Sequence, residues 1–228
     1  MDFGIAGEGK TDQVTIKLIL EGFFDELDDQ DIAFLQPHRG ATEEAVEGFG
    51  SWTNLLSYLK SKRFRDDLVS TAFLIIQVDT DVSEEEGYDV PKFDGDNKPF
   101  SVMQLIELVK VRLIKQIEHG QAGFYDEYKQ KIVFAISVHS LECWLLNFYT
   151  KSAKTGRIQG CENALSQEIT RYYAKKRPKY DKTPAVYEKL ALPLLKPKNI
   201  KKVRNIDISF NYLITQLESI DYSPQEDE

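Results

Sequence analysis

A72-F-L-I-I-Q-V-D-T-D81 reads as a short apolar strand that runs straight into two aspartates. Residues 72–78 have the continuous apolar character of a parallel strand covered by helices on both faces. Upstream, residues 2–6 (DFGIA) form a similar run that stops at a Gly-rich turn. Thr11 is the predicted N-cap of a following helix, which carries Ile16, Leu20, Phe23 and Leu27 on one face. Residues 32–36 (IAFLQ) make another strand, ended by Pro37 and Gly40, and Ser51 caps a helix that buries Trp52, Leu55, Leu56 and Leu59. Downstream, an acidic loop reaches Pro99. Ser101 then caps a helix with Val102, Leu105, Ile106, Val109, Leu113 and Ile117 inward. Residues 132–138 (IVFAISV) form a fourth strand that leads into a short helix bearing Trp144, Leu145 and Phe148. Strands alternating with helices predict an α/β fold, with a mainly parallel four-stranded sheet flanked by helices. Residues 161–220 read as three or four helices, one opened by Thr183 and Pro184 and the last by Asp207. The expected division is a domain over 1–150, a helical basic annex over 151–222 and a disordered acidic tail over 223–228.

Composition narrows the class. With 42% hydrophobic and 29% charged residues, the 228-residue chain is neither collagen-like nor disordered nor a disulfide scaffold. Cys143 and Cys161 each sit in an apolar helical pattern and read as neither a metal cluster nor a secreted framework. No apolar run approaches the ~18 residues of a membrane span, and Met1 to Glu8 lack the cationic flank of a signal peptide. The expectation is a cytoplasmic protein in a reducing compartment with no membrane partner. Its net charge of −8 is uneven. Residues 1–150 hold 14 Lys/Arg against 27 Asp/Glu, whereas residues 151–204 hold 15 against 4. An acidic body is joined to a basic segment.

Ligands of open parallel sheets bind at the carboxyl ends of the strands. Glu8 follows the first strand, Asp79 and Asp81 the third, and His139 with Glu142 the fourth. Residues two apart in an extended segment point to one side, so Asp79 and Asp81 are expected to act together. Paired carboxylates repel and are best tolerated around a divalent cation, and oxygen-only ligands suit Mg²⁺ or Mn²⁺. Each residue also has a plainer reading. Glu8 suits a turn, the aspartates suit the start of a loop, His139 suits a satisfied half-buried histidine, and Glu142 suits a helix N-terminus.

Taken in this order, the residues resemble the TOPRIM domain of topoisomerases, primase, OLD-like nucleases and stand-alone nucleases of bacterial anti-phage systems. G7-E8-G9-K10-T11-D12 is similar to its E-G motif and V78-D79-T80-D81 to its D-x-D motif. H139-S-L-E142-C-W144 is similar to an H-x-x-E-x-W stretch of RloB-like families. The resemblance covers roughly residues 1–150 and departs from a minimal domain in an acidic insertion of about 17 residues after Asp81. It implies a Mg²⁺-dependent (or Mn²⁺-dependent) nuclease acting on DNA or RNA, a defence effector with an ATPase or other defence-system partner. Glu8, Asp79, Asp81 and Glu142 would be the metal ligands, joined in catalysis by His139.

Two other readings overlap these residues. G4-I-A-G-E-G-K-T11 satisfies the P-loop pattern, with Asp79 as the Mg²⁺-linked acid of an NTPase, yet only three residues precede Gly4 to form its strand. A non-catalytic module that binds nucleic acid or a partner is the third class. Lys10 stands at a helix N-terminus where phosphate binds. Lys175, Lys176, Arg177, Lys179 and Lys182 interleave with Tyr172, Tyr173 and Tyr180, as single-stranded nucleic acid binding requires. The same stretch also suits a basic linker that pairs with the acidic body.

Overall fold

The structure, a computed structural model, describes residues 2–38, 51–150, 156–173 and 180–222. Four strands form one sheet: β1 (Phe3–Ala6), β2 (Ile32–Gln36), β3 (Phe73–Asp79) and β4 (Ile132–Ser137). Their order is β2-β1-β3-β4 and every pairing is parallel. Parallel neighbours need crossovers, and helices supply them. The helices of this part are α1 (Lys10–Phe23), α2 (Ser51–Leu59), α3 (Lys62–Ser70), α4 (Val102–Gly120), α5 (Phe124–Tyr128) and α6 (Leu141–Tyr149). Four more follow: α7 (Cys161–Tyr173), α8 (Pro184–Ala191), α9 (Pro197–Arg204) and α10 (Ile208–Leu217). The α/β fold with a helical C-terminal region is as the sequence predicts. Among the described residues no helix is long and apolar enough to cross a membrane.

Strand side chains alternate between two layers. Phe3, Ile5, Ile75, Val133 and Ala135 face the layer of α1 and α6–α10, while Ala6, Leu74, Ile76, Val78, Phe134 and Ile136 face α2–α5. The helices after residue 160 therefore share a core with the sheet. Helix α10 seals the open edge of β4. The Gln216 amide donates to Phe134 O at 2.8 Å and accepts from Phe134 N–H at 2.9 Å. An exposed edge would otherwise invite another strand.

Local signals set most boundaries. Ser101 caps α4 by accepting from Gln104 N–H, and Asp207 caps α10 by accepting from Phe210 N–H. One cap is corrected: α1 starts at Lys10 with Gly9 as N-cap, and Asp12 Oδ2 accepts from Gly9 N–H at 2.7 Å. Thr11 lies two residues too late because the Asp12 carboxylate satisfies the orphan donor from inside the helix. Helix α3 escapes the periodicity because it buries only Phe64 and Leu68. The acidic Glu84–Glu86 run is exposed, but the loop around it is anchored: Tyr88 is fully buried, and Arg112 donates to the carbonyls of Gly87 and Tyr88.

Cys143 and Cys161 are buried, as their apolar helical patterns predict, and the structure adds a pairing which that reading did not contain. Helices α6 and α7 pack side by side, and the two cysteines form a disulfide across them, with a sequence separation of 18. Helical periodicity shows that each cysteine is buried but not which helix it faces. Closing a loop of this size stabilises a fold by about 3 kcal/mol, so reduction should lower the melting temperature by roughly 6–12 °C. Thermal melts with and without a dithiol reductant, alongside a thiol count, test this. An unchanged melting temperature with two free thiols would show that the bridge adds nothing.

Candidate functional site

The carboxyl ends of β1, β3 and β4 meet the N-termini of α1 and α6 at one cleft of about 370 Å³. Its lining includes Glu8, Asp12, Asp79, Asp81 and Glu142, together with Trp52 and Lys182. Five of the predicted residues, the four acids and Lys182, are thus brought together, and Asp12 and Glu85 join them. Asp12 sits inside the quoted G7–D12 motif, but its role was hidden because an acid in the first turn of a helix is ordinary.

Each carboxylate is held by protein donors. Glu8, half-buried in the turn after β1, accepts from Asp79 N–H through Oε1 at 2.6 Å. Asp79 closes β3, and its Oδ1 accepts from Gln77 Nε2 at 2.9 Å, from Leu141 N–H at 3.1 Å and from the Ser137 hydroxyl. Asp81 does not continue the strand. The chain turns after Asp79, and Asp81 stands exposed at the rim of the same cleft. The two aspartates share the cleft through a turn, not through the alternation of an extended segment. Glu142, in the first turn of α6 and 8% exposed, accepts from the Tyr187 hydroxyl of α8.

Burial, then the negative charge of Glu8, pushes Asp79 and Asp12 well above the usual carboxylate range. Asp81 is raised as well, chiefly because the cleft wall partly desolvates its carboxylate even though the residue is exposed overall. The Tyr187 hydroxyl is pushed up by burial and by the Glu142 charge, so it stays a proton donor to Glu142. Tyr180, whose hydroxyl lies 3.2 Å from that of Tyr187, is pushed up to about 12, mainly by burial.

The remaining predicted residues separate. Lys182 reaches the cleft, with Nζ 3.0 Å from Glu162 Oε2 and 3.8 Å from Glu142 Oε1. Lys10 is half-buried as the first residue of α1 and does not line the cleft. His139 is half-buried and lines a separate pocket of about 120 Å³ with Lys92, Phe93 and Phe100. Burial and the nearby Lys92 lower its pKa. The strand-end rule brings His139 to the correct edge of the sheet, but the residue lines this separate pocket and not the carboxylate cleft, although the charge of Asp81 still reaches it. Lys175, Lys176, Arg177 and Lys179 lie outside the described residues, as does the 223–228 tail. The P-loop geometry is not formed. Gly4, Ile5 and Ala6 are strand residues paired on both sides, leaving only residues 7–9 between β1 and α1.

Among the described residues no three His, Cys, Asp or Glu side chains are arranged to hold one metal ion. The hydrogen bonds give the reason: Glu8, Asp79 and Glu142 are turned onto protein donors instead of a common centre. The donor chemistry nonetheless fits a hard divalent cation, because the acids lining the cleft offer only oxygen. Residues that sequence reasoning missed are Gln77, Ser137 and Tyr187, which hold the acids in place. Of these Gln77 and Ser137, each the one polar residue of an otherwise apolar run, left a visible signal. Comparison with protein-family models, curated proteins and solved structures finds no match to this chain.

Proposed function

We propose that this chain is a divalent-metal-dependent phosphodiesterase that cleaves nucleic acid. One observation carries the reading: six carboxylates, from the ends of β1 and β3, the loop after β3 and the starts of α1 and α6, share one cleft, and two of them, Asp79 and Asp12, are strongly destabilised as anions. Gathering like charges costs stability and is sustained where a cation compensates. Asp79 and Asp81 would hold Mg²⁺ or Mn²⁺, with Glu8 and Glu142 as further ligands and Asp12 beside them. When bound, the ion would stabilise charge on the scissile phosphate and lower the pKa of an attacking water. Glu8, the half-buried acid of the turn, serves as ligand or moves the proton of that water. Tyr187 keeps Glu142 oriented, and Lys182 at the rim offers a cation to the substrate backbone. The role as a defence effector with an ATPase or other partner rests on the resemblance alone.

The test is incubation of labelled single-stranded DNA, duplex DNA and RNA with the protein, in Mg²⁺, Mn²⁺ or EDTA. Cleavage of at least one substrate in metal but not in EDTA is expected. Cleavage that persists in EDTA, or none of any substrate, overturns the proposal. Lys182→Ala is expected to raise KM more than it lowers kcat, because a backbone contact supplies uniform binding. A kcat defect with unchanged KM would assign Lys182 a different role.

A further inference from the structure

Strand β3 is apolar except at its terminal Asp79 and at Gln77, whose side chain is fully buried. A buried amide needs partners for both its oxygen and its nitrogen. Gln77 finds them at the cleft. Its Oε1 accepts from Glu8 N–H at 3.4 Å, and its Nε2 donates to Asp79 Oδ1 at 2.9 Å, with Ser137 Oγ at 3.4 Å. Asp79 N–H in turn donates to Glu8 Oε1 at 2.6 Å. The three bonds close a ring through Glu8, Gln77 and Asp79 that ties the end of β1 to the end of β3. The amide has one permissible orientation. Reversing it would set its oxygen against a carboxylate and its NH₂ against an N–H.

Ser137 acts from the other side. It lies opposite Asp79 in the β3–β4 register, and its hydroxyl donates to the same Oδ1. With Leu141 N–H, three donors from β3, β4 and the start of α6 converge on one oxygen of one acid. We infer that Gln77 and Ser137 are positioning residues: they immobilise Asp79 through Oδ1 so that it meets a divalent cation through Oδ2. This rests on the metal-dependent reading of the cleft.

The probe is Mn²⁺ alone, titrated into metal-free protein and followed by calorimetry and by the electron paramagnetic resonance of free Mn²⁺. Gln77→Met keeps the length and apolar packing of the side chain but removes all three of its contacts. It is expected to weaken Mn²⁺ binding by about 10-fold or more, the usual effect of losing a residue that orients a ligand. Ser137→Ala, a smaller change, should weaken it by about 3-fold, since one of three donors is lost. A purely structural role would shift the melting temperature and leave the Mn²⁺ affinity unchanged. Folded variants that bind Mn²⁺ as tightly as the natural protein overturn the inference and leave the metal reading standing. Absence of Mn²⁺ binding by the natural protein overturns both. If Gln77→Met does not fold, Ser137→Ala decides alone.

Discussion

Asp79→Asn and Asp81→Asn are each expected to lower metal-dependent cleavage by about 10³-fold or more, equivalent to roughly 4 kcal/mol of transition-state stabilisation. The amide replaces the acid at almost the same size but removes the charge a divalent cation requires. Asparagine is the correct replacement at Asp79. Three donors converge on Oδ1, and an amide oxygen can still accept from them, whereas alanine would leave three donors unsatisfied. At Asp81, exposed at the rim, the change should leave the fold untouched. Rates for the two variants and the natural protein, with circular dichroism to verify folding, make the measurement. Full activity in both variants would place the chemistry elsewhere on the molecule.

The second large effect concerns stability in the absence of metal. Asp79 and Asp12 are raised well above the usual carboxylate range by burial and by the charge of Glu8. For an acid with a raised folded-state pKa, the folded protein keeps its proton after the unfolded chain has lost it. Stability contributed by that proton is complete below the unfolded value near 4 and is lost as pH rises through the folded value. In EDTA, Asp79→Asn should therefore melt higher than the natural protein at pH 8, by about 5 °C. The difference should shrink toward zero near pH 4. Adding Mn²⁺ at pH 8 should raise the melting temperature of the natural protein and have little effect on the variant, because binding to the folded form alone stabilises it. A melting difference that stays constant between pH 4 and pH 8 would show that Asp79 does not carry the strain assigned to it.

Both expectations depend on contacts of different origin. The strand at residues 32–36, the strand read at 132–138 to within one residue, the caps at Ser101 and Asp207, and the placement of Glu8, Asp79 and Glu142 at strand and helix ends were legible in the chain itself. Each depends on spacing within one element: an apolar run, a capping residue, a turn. The same local information brought His139 to the correct edge of the sheet but could not orient its side chain, which faces a separate pocket.

What the sequence determined by itself was the alternation of strands and helices and the acids at their ends, because burial periodicity and turn chemistry are properties of neighbouring residues. Only the tertiary structure decided that Tyr187 holds Glu142 across 45 residues, that Gln77 reaches Glu8 across 69 residues and ties it to Asp79, and that Cys143 pairs with Cys161. It also decided that the helices after residue 160 close over the sheet instead of standing apart, through contacts such as Gln216 on the edge of β4. A buried polar atom takes its partner from whichever element the packing sets opposite it. That choice depends on how whole layers fit together, and no local spacing records it.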